Sequence, residues 1–351
     1  MKASLLDQLP SSGHSHELLA NGRGGGLLIR EQGARALALW ASDEDDSAFW
    51  YAGSVPQPDN PWNTGGDRTW ISPEEAFFAN DSGEYEVPSQ LDPGDWKLSR
   101  PSPSRVVANM ACQLIHHPSR RPIDLELEKR FELAPNPYAM NSSSANPGNP
   151  AVFYIGYEVH TRLKLTPGDS SPDPAEVSAS LAGYCNLWSI MQVPPGGKIL
   201  VPTYGSVTPL KMFASTESVK TEPLPHGFRI PCEGSYSFKL SVDALSSTGR
   251  FGYARRLDDN RSSLVIRQFS VRPSAVYPDY PPDNPRYRGS CMQFFFDGGS
   301  LGNFAELEYH TPALALEAPG LSEDVSQVYY FVGPAQEVEK IAQDLLGLRP
   351  Y

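Results

Sequence analysis

Apolar and polar residues alternate with a period of two over many stretches of this chain. The clearest case is Ile123-Asp124-Leu125-Glu126-Leu127-Glu128-Lys129-Arg130-Phe131, with apolar residues at 123, 125 and 127 and charges between. Successive strand side chains point to opposite faces, so this pattern predicts a strand with one wet face, or an edge strand. Gly24–Arg30, Ala34–Trp40, Arg105–Ile115, Val152–Leu165, Leu187–Val193, Lys198–Pro202, Tyr236–Val242, Ser263–Val271, Met292–Phe296 and Asn303–His310 read as further strands, with a short one at Phe49-Trp50-Tyr51. Pro194-Pro195-Gly196-Gly197 reads as a tight hairpin between two of them. A helical period occurs only at Pro334–Leu348, where Val338, Ile341, Leu345 and Leu346 share a face behind a proline. Residues 1–20 read as a frayed or short helical lead-in, and the Pro-, Asp- and Gly-rich stretch ending at Pro103 reads as loop.

So many strands with a nearly helix-free middle predict two packed antiparallel sheets, an all-β sandwich with a short C-terminal helix. The Pro/Asn/Ser stretch at 134–150 is the best candidate boundary, but the strand pattern resumes unchanged beyond it. One domain over residues 21–351 is therefore expected after the lead-in, and no internal repeat is visible.

Composition narrows the partners. The 351 residues include 34 Pro and 29 Gly, which punctuate the chain and favour strands and loops over long helices. A net charge of -12 argues against a nucleic-acid surface or an anionic membrane patch, and suits neutral or cationic ligands. The only acidic cluster, Asp43-Glu44-Asp45-Asp46, reads as a solvated turn. Cys112, Cys185, Cys232 and Cys291 lie far apart without metal spacing, and are expected as free thiols in a reducing compartment. The N-terminus lacks a signal-peptide apolar region and no run reaches the length of a membrane span, so a cytoplasmic location is expected. Neither a metal nor another cofactor is expected, since no histidine spacing offers a ligand set. Oligomeric state is left open.

Two segments carry candidate chemistry. In Thr64-Gly65-Gly66-Asp67-Arg68-Thr69-Trp70-Ile71-Ser72-Pro73-Glu74, the glycines let the backbone turn or approach another segment closely. Arg68 offers a rigid fork of donors and Trp70 a flat apolar face, the equipment for holding a polar ring such as a sugar. The alternative is a turn whose Arg makes a structural ion pair and whose Trp is core. In the second segment, Glu306, Glu308 and His310 alternate along a strand and face one way. In a cleft, such neighbours push their pKa values apart and one can work as acid or base; otherwise they form a solvated face. His160 alternates with Glu158 and Arg162 and reads either as cleft-lining or as part of a wet edge.

Taken in order, the first segment, Asn186-Leu187-Trp188-Ser189-Ile190-Met191-Gln192-Val193, and Ala305-Glu306-Leu307-Glu308 before Pro312 resemble the galactose mutarotase-like (aldose 1-epimerase-like) superfamily. More narrowly, they resemble its bacterial branches with a Gly-Gly-x-Arg-x-Trp-x-x-Pro-Glu motif. The resemblance spans roughly residues 25–325. It implies a large twisted β-supersandwich that binds a small-molecule carbohydrate on a concave sheet. It also implies Arg68 as a substrate-binding residue, with Asp67, Trp70, His160, Trp188 and Gln192 beside it, and Glu306 or Glu308 as catalytic base. The family's general acid is a His in the middle strand, in an Asn-His-x-Tyr-Phe context, where this chain has Asn186-Leu187-Trp188. Mutarotation needs an acid and a base at the anomeric centre, and His310 or His160 is the available substitute. Three classes remain open: a sugar epimerase or mutarotase variant, a sugar binder without turnover, and a structural or interaction sandwich.

Overall fold

The computed structural model describes residues 5–6, 15–53, 62–80, 82–141, 152–168, 183–215, 219–279 and 289–351. Its strands are β1 (His16–Ala20), β2 (Gly26–Arg30), β3 (Arg35–Trp40), β4 (Asp67–Ser72), β5 (Lys97–Ser102), β6 (Arg105–His116) and β7 (Arg121–Leu133). There follow β8 (Phe153–Pro167), β9 (Tyr184–Val193), β10 (Gly197–Pro202), β11 (Leu210–Ala214), β12 (Glu222–Leu224), β13 (Gly227–Pro231) and β14 (Phe238–Asp243). The last are β15 (Arg250–Arg256), β16 (Arg261–Gln268), β17 (Ser290–Phe296), β18 (Ala305–His310), β19 (Leu314–Ala315) and β20 (Gly320–Pro334).

These form two antiparallel sheets. The first runs β1-β2-β3-β4-β9-β18-β17-β14-β11, with β19 also paired to β9. The second runs β12-β13-β10-β15-β16-β20-β8-β7-β6-β5. Their facing surfaces interdigitate, one cluster joining Met191, Phe294 and Leu307 of the first sheet to Phe131, Tyr157, Phe251 and Val328 of the second, and another joining Ile71 and Leu187 to Leu125, Leu163 and Leu165. The expected all-β sandwich is observed. The far face of the second sheet is wet along β7 and β8, as the alternation at 123–131 predicts, although both strands are interior to the sheet. Further along that face lies the C-terminal helix Ala335–Leu346, which buries Val338, Ile341, Ala342 and Leu346 against Leu200, Leu264 and Phe331. Pro334 precedes it, and Gly347 closes it at φ 72°.

The structure corrects several local expectations. His16–Ala20, read as part of the lead-in, is a strand paired to β2; Leu5 and Leu6 are helical, and residues 1–4 and 7–14 lie outside the described set. Lys97–Ser102, read as loop, is β5. The segment Phe49-Trp50-Tyr51 forms no strand: Tyr51 makes an isolated bridge to Gly65, and Trp50 donates to the Gln192 carbonyl at 2.9 Å and accepts from the Gly66 amide at 3.0 Å. Pro194–Gly197 does not close a hairpin, since β9 belongs to the first sheet and β10 to the second, where β10 pairs with β13 and β15. Turn residues dictate a reversal of the chain but not which strand it pairs with. Within the acidic cluster Asp45 is buried and pairs with Arg261 at 2.6 Å. All four cysteines are free; Cys112 is half-buried and the others are buried. Among the described residues no helix is long and apolar enough to cross a membrane. Most of the 134–150 stretch lies outside the described residues.

Candidate functional site

The Gly-Gly turn positions the site. Gly65 and Gly66 have φ of 96° and 79°, a region that costs other L-residues energy. A Cβ on Gly65 would lie 2.2 Å from the Trp50 carbonyl oxygen, and one on Gly66 would lie 2.7 Å from that of Ala36. Arg35 clamps the turn by donating to the Gly65 carbonyl at 2.9 Å and to Asp92 at 2.5 Å, while Asp92 also accepts from Trp70 Nε1 at 2.8 Å. The turn delivers β4 beside β9 with Arg68 opposite Ile190 and Trp70 opposite Trp188.

Directly opposed residues in antiparallel strands share a face, so the ladder can be followed across the sheet. Ile190 faces Glu308, Gln192 faces Glu306 and Trp188 faces His310. Glu308 then faces Gln293, which faces Ser241, and Glu306 faces Phe295, which faces Lys239. Five strands thus present Arg68, Trp70, Trp188, Gln192, Glu306, Glu308, His310, Gln293, Ser241 and Lys239 on the face turned away from the second sheet.

Each carboxylate is held by one oxygen. Glu306 Oε1 accepts from Arg68 Nη2 at 2.9 Å and from Gln192 Nε2 at 3.0 Å, and Asn63 braces Gln192 at 3.0 Å. Glu308 Oε2 accepts from Trp188 Nε1 at 2.7 Å and lies 3.2 Å from Lys239 Nζ. Glu308 Oε1 is buried with no hydrogen-bond partner, as are Arg68 Nε and Nη1, Gln192 Oε1, Gln293 Oε1, Ser241 Oγ and both ring nitrogens of His310. Buried polar atoms are normally satisfied, so this concentration of open donors and acceptors on one patch sets it apart from ordinary core.

Burial dominates the titration of the site. It pushes Glu308 up to about 7, against the pull of Lys239; the nearby charge of Glu306 adds to the rise. Burial likewise lowers His310 to about 4, leaving it neutral, although Asp279 Oδ2 lies 3.9 Å from Nε2. For Lys239 burial pulls down, but Glu308, Glu74, Asp279 and Glu306 outweigh it and hold the ammonium charged. Glu74 is raised, first by burial, and Tyr85 donates toward it. Tyr85 is 56 % exposed and stacks on Phe78, marking the solvent side of the site. Glu306 and Lys239 keep slight exposure, whereas Glu308 and His310 are sealed behind them.

The structure therefore brings together Arg68, Trp70, Trp188, Gln192, Glu306, Glu308 and His310. Trp70 offers no open platform: Arg68 stacks over it at 4.1 Å from the ring centroid, and Trp62 flanks the same guanidinium at 5.4 Å. Trp188 is likewise covered, by His310 on a nearly parallel plane and by Lys239. Two candidates are not brought to the site. Asp67 points into the inter-sheet core, where Tyr157 and Arg267 bind it, because strand alternation turns it away from its neighbour Arg68. His160 lies on the wet face of the second sheet, bonded to Glu158 at 2.8 Å. Sequence reasoning missed Lys239, Asn63, Gln293, Asp279 and the site role of Glu74. Glu74 closes the first motif, and Asn63 directly precedes it. Among the described residues no cluster of His, Cys, Asp or Glu is placed to hold a metal ion.

Fold and site together define a two-sheet antiparallel sandwich with an enclosed, two-carboxylate polar patch in the middle of one sheet. The chain belongs to the family described as Family of unknown function (DUF6786), which matches residues 56–349. No curated protein matches it. Among solved structures it is similar to a candidate aldose 1-epimerase from Escherichia coli K12, at 12% identity and TM-score 0.45, covering 92% of this chain and 100% of that one. It is also similar to the aldose epimerase homologue from C. elegans, at 10% identity and TM-score 0.42, covering 92% and 99%. A galactose 1-epimerase from Lactobacillus acidophilus NCFM aligns at 10% identity and TM-score 0.38, covering 92% and 95%.

Proposed function

We propose that this site binds a carbohydrate and interconverts its anomers by acid–base catalysis. Glu308 is the proton donor to the ring oxygen, and Glu306 accepts the proton of the anomeric hydroxyl. The proton returns by the reverse transfers once the opened chain has turned and reclosed, so no cofactor enters the balance. The observation that carries this reading is the pair itself. Two glutamates on one face each have one oxygen anchored, and they sit in different environments: one buried beside a lysine with its pKa near neutrality, one ion-paired with Arg68. Glu308 thereby supplies the acid that the middle strand lacks. Arg68, with two unused donors, and Gln192 and Gln293, with unused carbonyl oxygens, offer the hydrogen bonds that sugar hydroxyls need.

A second reading, binding without turnover, is favoured by the anchoring of Glu308 Oε2 by both Lys239 and Trp188, which also suits a purely structural ion pair. Exchange spectroscopy by NMR on equilibrated aldoses separates the two. Faster exchange between anomeric signals supports turnover; saturation transfer to the sugar without faster exchange supports binding alone; neither signal with any aldose overturns the carbohydrate reading. Four free cysteines support a reducing compartment, for which we propose the cytoplasm.

A further inference from the structure

Arg68 and Glu306 offer hydrogen bonds but no flat surface for the C–H groups of a sugar, because the aromatic rings packed about them cover one another. Trp70 lies under the Arg68 guanidinium and meets Trp188 at 5.5 Å. Trp62 is half-buried, turned edge-on to Trp70 and set against the same guanidinium. Phe78 is buried and packs on Trp70 at 5.0 Å. Tyr85 is the exception at this end of the patch. Its ring lies 19° from parallel with that of Phe78, at 6.2 Å between centroids, yet the residue is more than half exposed. Phe78 thus backs one face of the ring and leaves the other to solvent. The ring is also fixed in place. Its hydroxyl donates to Glu74, and the charges of Arg68 and Glu306 both reach it. Its chain forms a short reversal in which Asn80 N donates to the Glu84 carbonyl at 2.8 Å and Glu86 N to that of Phe78 at 3.4 Å.

Resting on the carbohydrate reading, we propose that Tyr85 is the ring on which the sugar stacks, with the ligand's C–H groups on the open face of Tyr85 and its hydroxyls on Arg68 and Glu306. A tyrosine held at both its backbone and its hydroxyl gives a large apolar surface at little cost in conformational freedom. It selects ligands that present an apolar face as well as a hydroxyl edge. Phe213 of β11 is a second exposed ring on the same face, packed on Phe295 at 5.9 Å. It stands three strands from Glu306, about 14 Å at the usual strand spacing, so a single pyranose ring held by Arg68 and Glu306 does not reach it.

The test is an NMR titration of the unaltered protein, Tyr85→Phe, Tyr85→Leu and Phe213→Leu with glucose, galactose, mannose and xylose. Tyr85→Phe keeps the ring and removes the Glu74 contact, whereas Tyr85→Leu keeps apolar bulk and removes the ring. In the unaltered protein the C–H protons of a bound aldose are expected to shift upfield under the ring current. Tyr85→Leu is expected to erase that shift and weaken binding about tenfold, while Tyr85→Phe keeps the shift and binds within about threefold of the unaltered protein. Phe213→Leu is expected to change neither. An aldose that binds the unaltered protein without an upfield shift, or whose affinity survives Tyr85→Leu or falls with Phe213→Leu, overturns this inference and leaves the carbohydrate reading standing. Failure of every aldose to bind overturns both.

Discussion

Two neighbouring residues of β4, Asp67 and Arg68, each take part in a buried Arg–carboxylate pair, yet the pairs differ in what they leave unused. Asp67 is gripped by both terminal nitrogens of Arg267, at 2.9 and 2.6 Å, and also by Tyr157, while Ser189 accepts from the same guanidinium. That pair lies between the sheets, with every carboxylate oxygen occupied. Arg68 touches Glu306 through one nitrogen only, with its other donors open and its plane laid over Trp70. The first pair is a clasp that sets the depth of β4, and the second, on the proposed reading, is a working face. One step along a strand divides structure from chemistry, because successive side chains leave on opposite sides.

The comparison can be broken most strongly at the acid. Glu308→Gln keeps the shape and the Trp188 contact and removes the proton. It is expected to slow anomer exchange about 10²–10⁴-fold, read by exchange NMR, with the circular dichroism spectrum unchanged. Retained exchange would remove Glu308 from the mechanism. In the unaltered protein exchange is expected to fall as pH rises through about 7, where Glu308 loses its proton.

Asp67→Ala leaves Arg267 charged and unpaired between the sheets and is expected to cost about 3–5 kcal/mol of stability, measured by urea unfolding. Arg68→Gln is expected to cost roughly 1–2 kcal/mol, because Gln192 still serves Glu306, but to abolish measurable sugar binding. If Arg68→Gln destabilises as much as Asp67→Ala, the division between clasp and working face fails.

His310 sharpens the same division through pH. Its native value near 4 lies below the ordinary 6.5, so the unfolded chain takes up a proton first. The stability tied to neutral His310 is complete above about 6.5 and is lost as pH falls toward 4. His310→Phe, which keeps a ring against Trp188, is expected to flatten that loss in melting temperatures recorded from pH 7 to 4. The smallest effect belongs to His160→Ala on the wet face: no change in sugar binding, and a melting temperature within error of the unaltered protein. A loss of binding there would place the ligand on the other sheet.

Much of this was legible in the chain. Period-two alternation gave the sandwich, and the spacing of Glu306, Glu308 and His310 placed them on one face. That the face is buried was not legible, because alternation tells which residues share a side and not what covers it. Lys239 shows the cost: in Phe238-Lys239-Leu240-Ser241-Val242 it reads as a solvated residue between core positions, yet it is nearly buried beside Glu308. His160 shows the converse, since its sequence context resembles that of His310 while β8 lies in the other sheet. The motif sets Asp67 beside Arg68, and a motif does not record pleat direction. Gln293 and Asp279 carried no signal at all, as their importance depends on which strand is set beside β18.

The site's central ion pair joins residues 238 positions apart in the chain. Between them the chain lays down strands of both sheets, and neither a hairpin nor a helix can bring Arg68 to Glu306 ahead of the rest. Such non-local contacts form late and slowly in folding. The assembled polar site in this molecule is consequently a property of the finished topology: no proteolytic fragment inherits it, and formation of the Arg68–Glu306 pair during refolding would time the last act of assembly rather than the first.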